Sequence, residues 1–150
     1  MHTTTLSLLL VSAMALGTPV PRGEDKPWST IQTHLGYCLD VTDGVYRDGT
    51  SVQFWACANG NPNQDWTGNR HGAYYVKAPS GKIFCLDSTN SPIIGMSPTI
   101  NSNCDIDNPA PRFTWTDTDN GLKSSVGNFC LVSTDPVGLS REPPQLAPCQ

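Results

Sequence analysis

Charge is scarce in this chain. Asp, Glu, Lys and Arg make up 15% of 150 residues, and the balance is a net charge of −4. That is too little positive charge to grip nucleic acid or an anionic membrane surface, so neither is an expected partner. No long run of apolar residues at helical period is present, which sets aside a helix bundle. The chain has no C-x-x-C, and beyond His2 its histidines are His34 and His71, so zinc lacks a ligand set. Asp105-Ile106-Asp107-Asn108 lacks the Gly and the closing Glu of a calcium loop and reads as a turn before Pro109. There is no G-x-S-x-G and no Asn-x-Ser/Thr acceptor. Asp40 and Asp43, three apart beside a turn, are a weak basis for a glycosidase pair. The expectation is a binding protein with no catalytic residue, metal or cofactor.

What is present points to turns and strands. Glycine and proline number 13 each, the composition of a turn-rich all-β protein of one domain. Residues 1–17 contain no charged side chain, and Leu6–Leu16 is apolar but too short to span a membrane as a helix. This reads as a signal peptide cleaved after Ala15 or Gly17, which implies secretion and an extracellular location. Residues 18–27 then read as an exposed linker, and residues 28–150 as the domain.

Six cysteines in a secreted chain suggest three disulfides. Cys38 and Cys57, Cys85 and Cys104, and Cys130 and Cys149 are each 19 positions apart, which predicts three equal closed loops. The first cysteines of these loops recur at intervals of 47 and 45 residues, a period that marks internal repeats. Each repeat has one order: an alternating strand, Cys-Leu, a turn-rich excursion, a second strand and a closing cysteine. The first strands are placed at Trp28–Thr33, Ala73–Ala78 and Gly121–Val126, and Ser51–Ala56 alternates before Cys57. Asp43-Gly44, Asp48-Gly49, Ser80-Gly81 and Asn120-Gly121 mark turns. Units this small cannot bury their apolar faces alone, so three are expected to close around a shared core. Closure also hides strand edges.

The order C-L-D-V, then V-Q-F-W-A-C, then N-Q-D-W resembles one repeat of the ricin-B-type β-trefoil lectins and the trefoil carbohydrate-binding modules. Their Q-x-W signature stands here as Gln64-Asp65-Trp66, and as Phe113-Thr114-Trp115 in the second repeat. The resemblance runs from Trp28 to Cys149 and implies an all-β trefoil with pseudo-threefold symmetry. The third repeat has one residue after Cys149 where nine carry the first from Cys57 to Trp66, so its final strand is expected to be missing.

A sugar presents a patch of C–H bonds and a rim of hydroxyls, so its site needs a flat aromatic and a few fixed polar groups. The first repeat supplies both. Asp40 is followed 13 residues later by Gln53 and 15 later by Trp55, which share a strand face; Asn63 and Gln64 come next. The resemblance implies that Asp40 and Asn63 bind sugar hydroxyls, that Trp55 stacks on the ring, and that Gln53 and Gln64 bind or brace the acid. Taken singly, Asp40 could instead brace its turn and Trp55 could be core. Trp66 and Leu39 are assigned to the core.

In the second repeat Asp87 keeps the acid, but counting 13 and 15 residues on gives Ile100 and Ser102, and Arg112-Phe113 replaces the amide pair. In the third, Val132 replaces the acid and Ala147 the aromatic, while Gln145 remains. One sugar site is therefore expected. The resemblance implies galactose or N-acetylgalactosamine ends as ligand, with glycans or glycoproteins as partners of a monomer. A xylan-type polysaccharide is the alternative. A protease inhibitor or protein-binding effector using the loop 91–99, with Ile93, Ile94 and Met96, is the rival from another class.

Overall fold

The computed structural model describes residues 31, 37–89, 92–118, 121–133 and 143–149. The expected signal peptide, the linker and, apart from Ile31, the strand Trp28–Thr33 lie outside the described residues. Ten strands follow in order: β1 (Tyr37–Val41), β2 (Val52–Ala56), β3 (Trp66–Gly68), β4 (Tyr74–Lys77), β5 (Ile83–Asp87), β6 (Thr99–Asn101), β7 (Trp115–Thr118), β8 (Gly121–Ser124), β9 (Phe129–Val132) and β10 (Gln145–Pro148). Three short 3-10 turns join them, and no α-helix occurs among the described residues.

All pairing is antiparallel, as hairpins between successive short strands require. β1 pairs with β2, β3 to β6 form one four-stranded sheet in chain order, and β7 to β10 form another. Ile31 joins β1, its carbonyl accepting the Leu39 N–H at 2.8 Å. Alternation along β1 and β2 sorts the side chains by face. Leu39, Val41, Val52 and Phe54 enter the core, while Cys38, Asp40, Gln53 and Trp55 take the other side.

The same internal contacts recur in successive repeats. The Trp66 indole N–H donates to the Leu39 carbonyl at 3.0 Å, and Trp115 does the same to Leu86 at 2.9 Å. Both indoles are buried, so this bond satisfies the single polar atom each ring carries into the core. Leu39, Leu86 and Leu131, each following the first cysteine of its repeat, meet Phe54, Ile100 and Leu146 across their hairpins. Together with Val76, Phe84 and Leu122 they form one continuous core. The first repeat also hooks onto the second, and the second onto the third. Gly49 N–H donates to Ile100 O and Ile100 N–H to Thr50 O, while Gly95 N–H donates to Leu146 O and Leu146 N–H to Met96 O, all at 2.8–2.9 Å.

The disulfides are Cys38–Cys57, Cys85–Cys104 and Cys130–Cys149. Each ties the first strand of a hairpin to the segment leaving its partner strand. Loop-closure entropy in the unfolded chain then favours the native fold. Replacing Cys130 and Cys149 together by alanine is expected to lower the unfolding free energy by about 3 kcal/mol, read from urea denaturation of the oxidised proteins.

Candidate functional site

The site is built where β1 and β2 meet the 3-10 turn Pro62–Gln64. Asn61 starts that turn, its Oδ1 accepting the Asn63 N–H at 3.1 Å, and Pro62 follows where no N–H is needed. The turn aims Gln64 inward. Its Nε2 donates to Asp40 Oδ2 and to the Ala56 carbonyl, both at 3.0 Å, and its Oε1 accepts the Ala58 N–H at 2.9 Å. Gln64 is buried, with both Nε2 hydrogens and one lone pair of Oε1 used by the chain.

Asp40 faces away from the core, yet it is only 3% exposed because amides cover it. Gln53 Nε2 donates to Oδ1 at 3.1 Å, and Asn61 Nδ2 joins Gln64 on Oδ2 at 3.2 Å. A carboxylate offers about four acceptor positions. Among the described residues three are taken, and the position left is on Oδ1. These bonds answer the alternative that Asp40 braces its own turn; its partners come from β2 and from the Pro62–Gln64 turn.

Trp55 lies opposite Cys38, two residues along from the buried Gln53, and is 37% exposed. It lies on the same face as the buried Asp40 and outside the core cluster. Asn63 is half-buried. Its Oδ1 accepts the Tyr46 hydroxyl at 3.0 Å, and its Nδ2 rests against Gly44, where a Cβ would stand 3.1 Å away. Gly44 has φ +65 and follows Asp43 at φ 53, with the Val45 N–H closing the turn on Thr42 O at 3.1 Å. That turn needs two positive φ values, which Asp-Gly supplies at low cost.

The five residues picked from the sequence are thus carried by β1, β2 and the Pro62–Gln64 turn, with Gln53 and Gln64 bonded to Asp40, Asn63 bonded to Tyr46, and Trp55 37% exposed. Two more were missed. Asn61 combines the turn cap with a donor to Asp40, and the only local sign of it is an Asn placed before a proline. Tyr46 packs its ring at a tilt on Phe84, with centroids 5.9 Å apart, and sends its hydroxyl to Asn63. Burial, then the negative charges of Asp40 and Asp65, push its phenol up to about 12.

The second repeat departs from the residue count. Cys85 pairs with Asn101 and Asp87 with Thr99, so Asn101 and Thr99 occupy the Trp55 and Gln53 positions, correcting Ser102 and Ile100. The excursion is one residue shorter here and the segment before Cys104 one longer, leaving the cysteine spacing equal. Asp87 is 1% exposed and meets four donors. Arg112 Nε and the Thr89 N–H reach Oδ1, both at 2.8 Å; Asn101 Nδ2 reaches Oδ2 at 3.3 Å, and Arg112 Nη2 forms an ion pair with the same oxygen. All four acceptor positions are filled from within the chain. Asp87 is therefore held as a structural acid, with the Arg112 guanidinium on both of its oxygens.

In the third repeat Val132 faces Gln145 and Ala147 faces Cys130, so neither acid nor aromatic is present. Asp105 Oδ1 accepts the N–H groups of Asp107 and Asn108, which makes the acidic run a turn. In the 91–99 loop Ile93 and Ile94 are 62% and 69% exposed. Met96 is instead half-buried, its N–H bonded to Ile93 O and its sulfur accepting the Thr89 hydroxyl, so the apolar tip has two residues rather than three.

Two measurements test this geometry. Arg112→Met is expected to cost about 2–3 kcal/mol in urea unfolding, because it removes two charge-assisted donors from a buried carboxylate while Arg112 itself is partly exposed. For Tyr46 the folded pKa exceeds the unfolded value of 10.0. Its contribution to stability is therefore complete below pH 10 and lost as pH rises towards about 12. Absorbance at about 295 nm is expected to show a phenol titrating near 12, which Tyr46→Phe deletes.

Residues 27–150 match the family model described as the ricin-type beta-trefoil lectin domain. A curated relative, beta-galactoside-specific lectin 2 of Viscum album, is 55% identical over 48 residues, covering 31% of this chain and 8% of that protein. The matched stretch therefore spans far less than two thirds of the relative's length. With a family match over most of its length and an all-β architecture of repeated disulfide-closed hairpins, the chain belongs to the ricin-type β-trefoil lectin domain family.

Proposed function

We propose that this protein is a secreted lectin with a single carbohydrate site in its first repeat, built on Asp40, Asn63 and Trp55 and braced by Gln53 and Gln64. It binds glycans without altering them. The observation that carries this reading is the contrast between two buried carboxylates: among the described residues Asp40 keeps an acceptor position on the strand face that also carries the part-exposed Trp55, whereas Asp87 has every position filled by its own chain. A sugar hydroxyl donates to the remaining lone pair of Asp40 and accepts from Asn63, while the C–H face of the ring lies on Trp55. Galactose or N-acetylgalactosamine ends are the first ligands of choice, a reading supported by the name of the Viscum album relative. Three disulfides suit an oxidising, extracellular setting. A single shallow site of this kind binds at about 0.1–1 mM, or about −4 to −5.5 kcal/mol.

The test is a glycan array followed by calorimetry on the oxidised protein, with Trp55→Ala and Asp40→Asn alongside. Binding confined to terminal galactosides and lost in both variants is the expected result. Selection of xylan fragments instead would keep the site and change the ligand. Binding that survives both substitutions would move the site elsewhere. If the folded protein binds no glycan, the exposed Ile93–Ile94 tip becomes the functional candidate, and with it a protein partner.

A further inference from the structure

We propose that Tyr46 is a positioning residue of the sugar site, holding the Asn63 carboxamide so that its nitrogen, not its oxygen, is presented to the ligand. The inference rests on the lectin reading above and extends it to a residue outside the acid–amide–aromatic set.

An asparagine carboxamide can turn over by half a rotation and exchange donor for acceptor, and at the edge of a binding site the two orientations select different ligands. Asn63 is half-buried, and one hydrogen bond decides between its orientations. The Tyr46 hydroxyl donates to Oδ1 at 3.0 Å, while Gly44 backs the whole carboxamide, a Cβ there standing 3.1 Å from Nδ2 and 3.3 Å from Oδ1. The phenol keeps its proton well into the alkaline range, because burial and the charges of Asp40 and Asp65 oppose ionisation. It is therefore a dependable donor, and Asn63 Oδ1 is the acceptor it finds.

Asp40 can only accept. With Asn63 Oδ1 turned to Tyr46, the groups among the described residues offered to a ligand at the polar edge are the acceptor Asp40 Oδ1 and the donor Asn63 Nδ2. A single hydroxyl satisfies both by donating to the first and accepting from the second. If the carboxamide were inverted, two acceptors would face that hydroxyl, which has one proton to give. The phenol ring is itself held against Phe84, so the orientation exists before the ligand arrives and its ordering cost falls outside the binding step.

Tyr46→Phe removes the hydroxyl and keeps the ring. Two measurements are made on wild type and variant: calorimetric affinity for lactose and, in parallel, for xylotriose, and 15N relaxation of the Asn63 side-chain amide in sugar-free protein. The expected result is an affinity about fivefold weaker together with a more mobile Asn63 amide. Equal affinity in the two proteins overturns the proposal while leaving the lectin reading intact. Weaker affinity with an unchanged Asn63 amide also overturns it, since Tyr46 would then be acting on the ligand directly. A wild type that binds neither sugar overturns the lectin reading and the role of Tyr46 with it, even where the amide relaxation responds to the substitution.

Discussion

A carboxylate taken out of water must have its lone pairs met, and the acid position two residues after the first cysteine is buried in the repeats that carry an acid. Asp40 and Asp87 start from the same place on equivalent strands. Their fates differ because of what the following 3-10 turn aims at them. Pro62–Gln64 offers neutral amides, which share the carboxylate and leave part of it unused. Pro111–Phe113 offers Arg112, whose planar fork covers both oxygens at once. Val132 removes the need altogether. Three repeats thus give three answers to one desolvation problem, and only the first leaves room for an outside donor.

The contacts that hold the fold are indifferent to this. Indole N–H to leucine carbonyl, cysteine to cysteine, and leucine against the facing apolar residue recur wherever the described residues allow comparison. The leucine contacts lie on the core face of each hairpin, whereas the acid and the aromatic lie on the other, which the disulfide shares. Alternation along a strand therefore lets one face remain alike between repeats while the opposite face diverges. A site can be lost from a repeat without loss of its core, which is how a threefold arrangement comes to carry one candidate site.

The hooks between repeats extend this division of labour. The excursion of the first repeat is bonded to β6 and that of the second to β10, so the loops that border the acid positions are held by backbone bonds to a neighbour. Asp43-Gly44 lies in such a loop, and its turn sets Gly44 against Asn63. A turn chosen for backbone conformation thereby also limits how a side chain from a distant segment can sit. Rigidity of this kind favours a shallow site, where little burial is available to offset ordering costs.

Cysteine spacing, strand alternation, Asp-Gly turns and the assignment of Trp66 and Leu39 to the core were legible in the chain, because each depends on residues close in sequence or on a repeated count. The same count misled in the second repeat, where a shorter excursion and a longer tail cancel within an unchanged cysteine spacing; register is settled by pairing across the hairpin, not by distance along it. Arg112 on Asp87, Asn61 on Asp40 and Tyr46 on Asn63 join residues 17 to 25 positions apart. No periodicity records them. By itself the sequence determined which residue types the first repeat brings together and that the fold would close through three disulfide loops. Which carboxylate keeps an open lone pair was decided by the tertiary structure, because hydrogen bonds to a buried acid depend on the direction from which each donor arrives, and that direction exists only once the turns have packed against the strands.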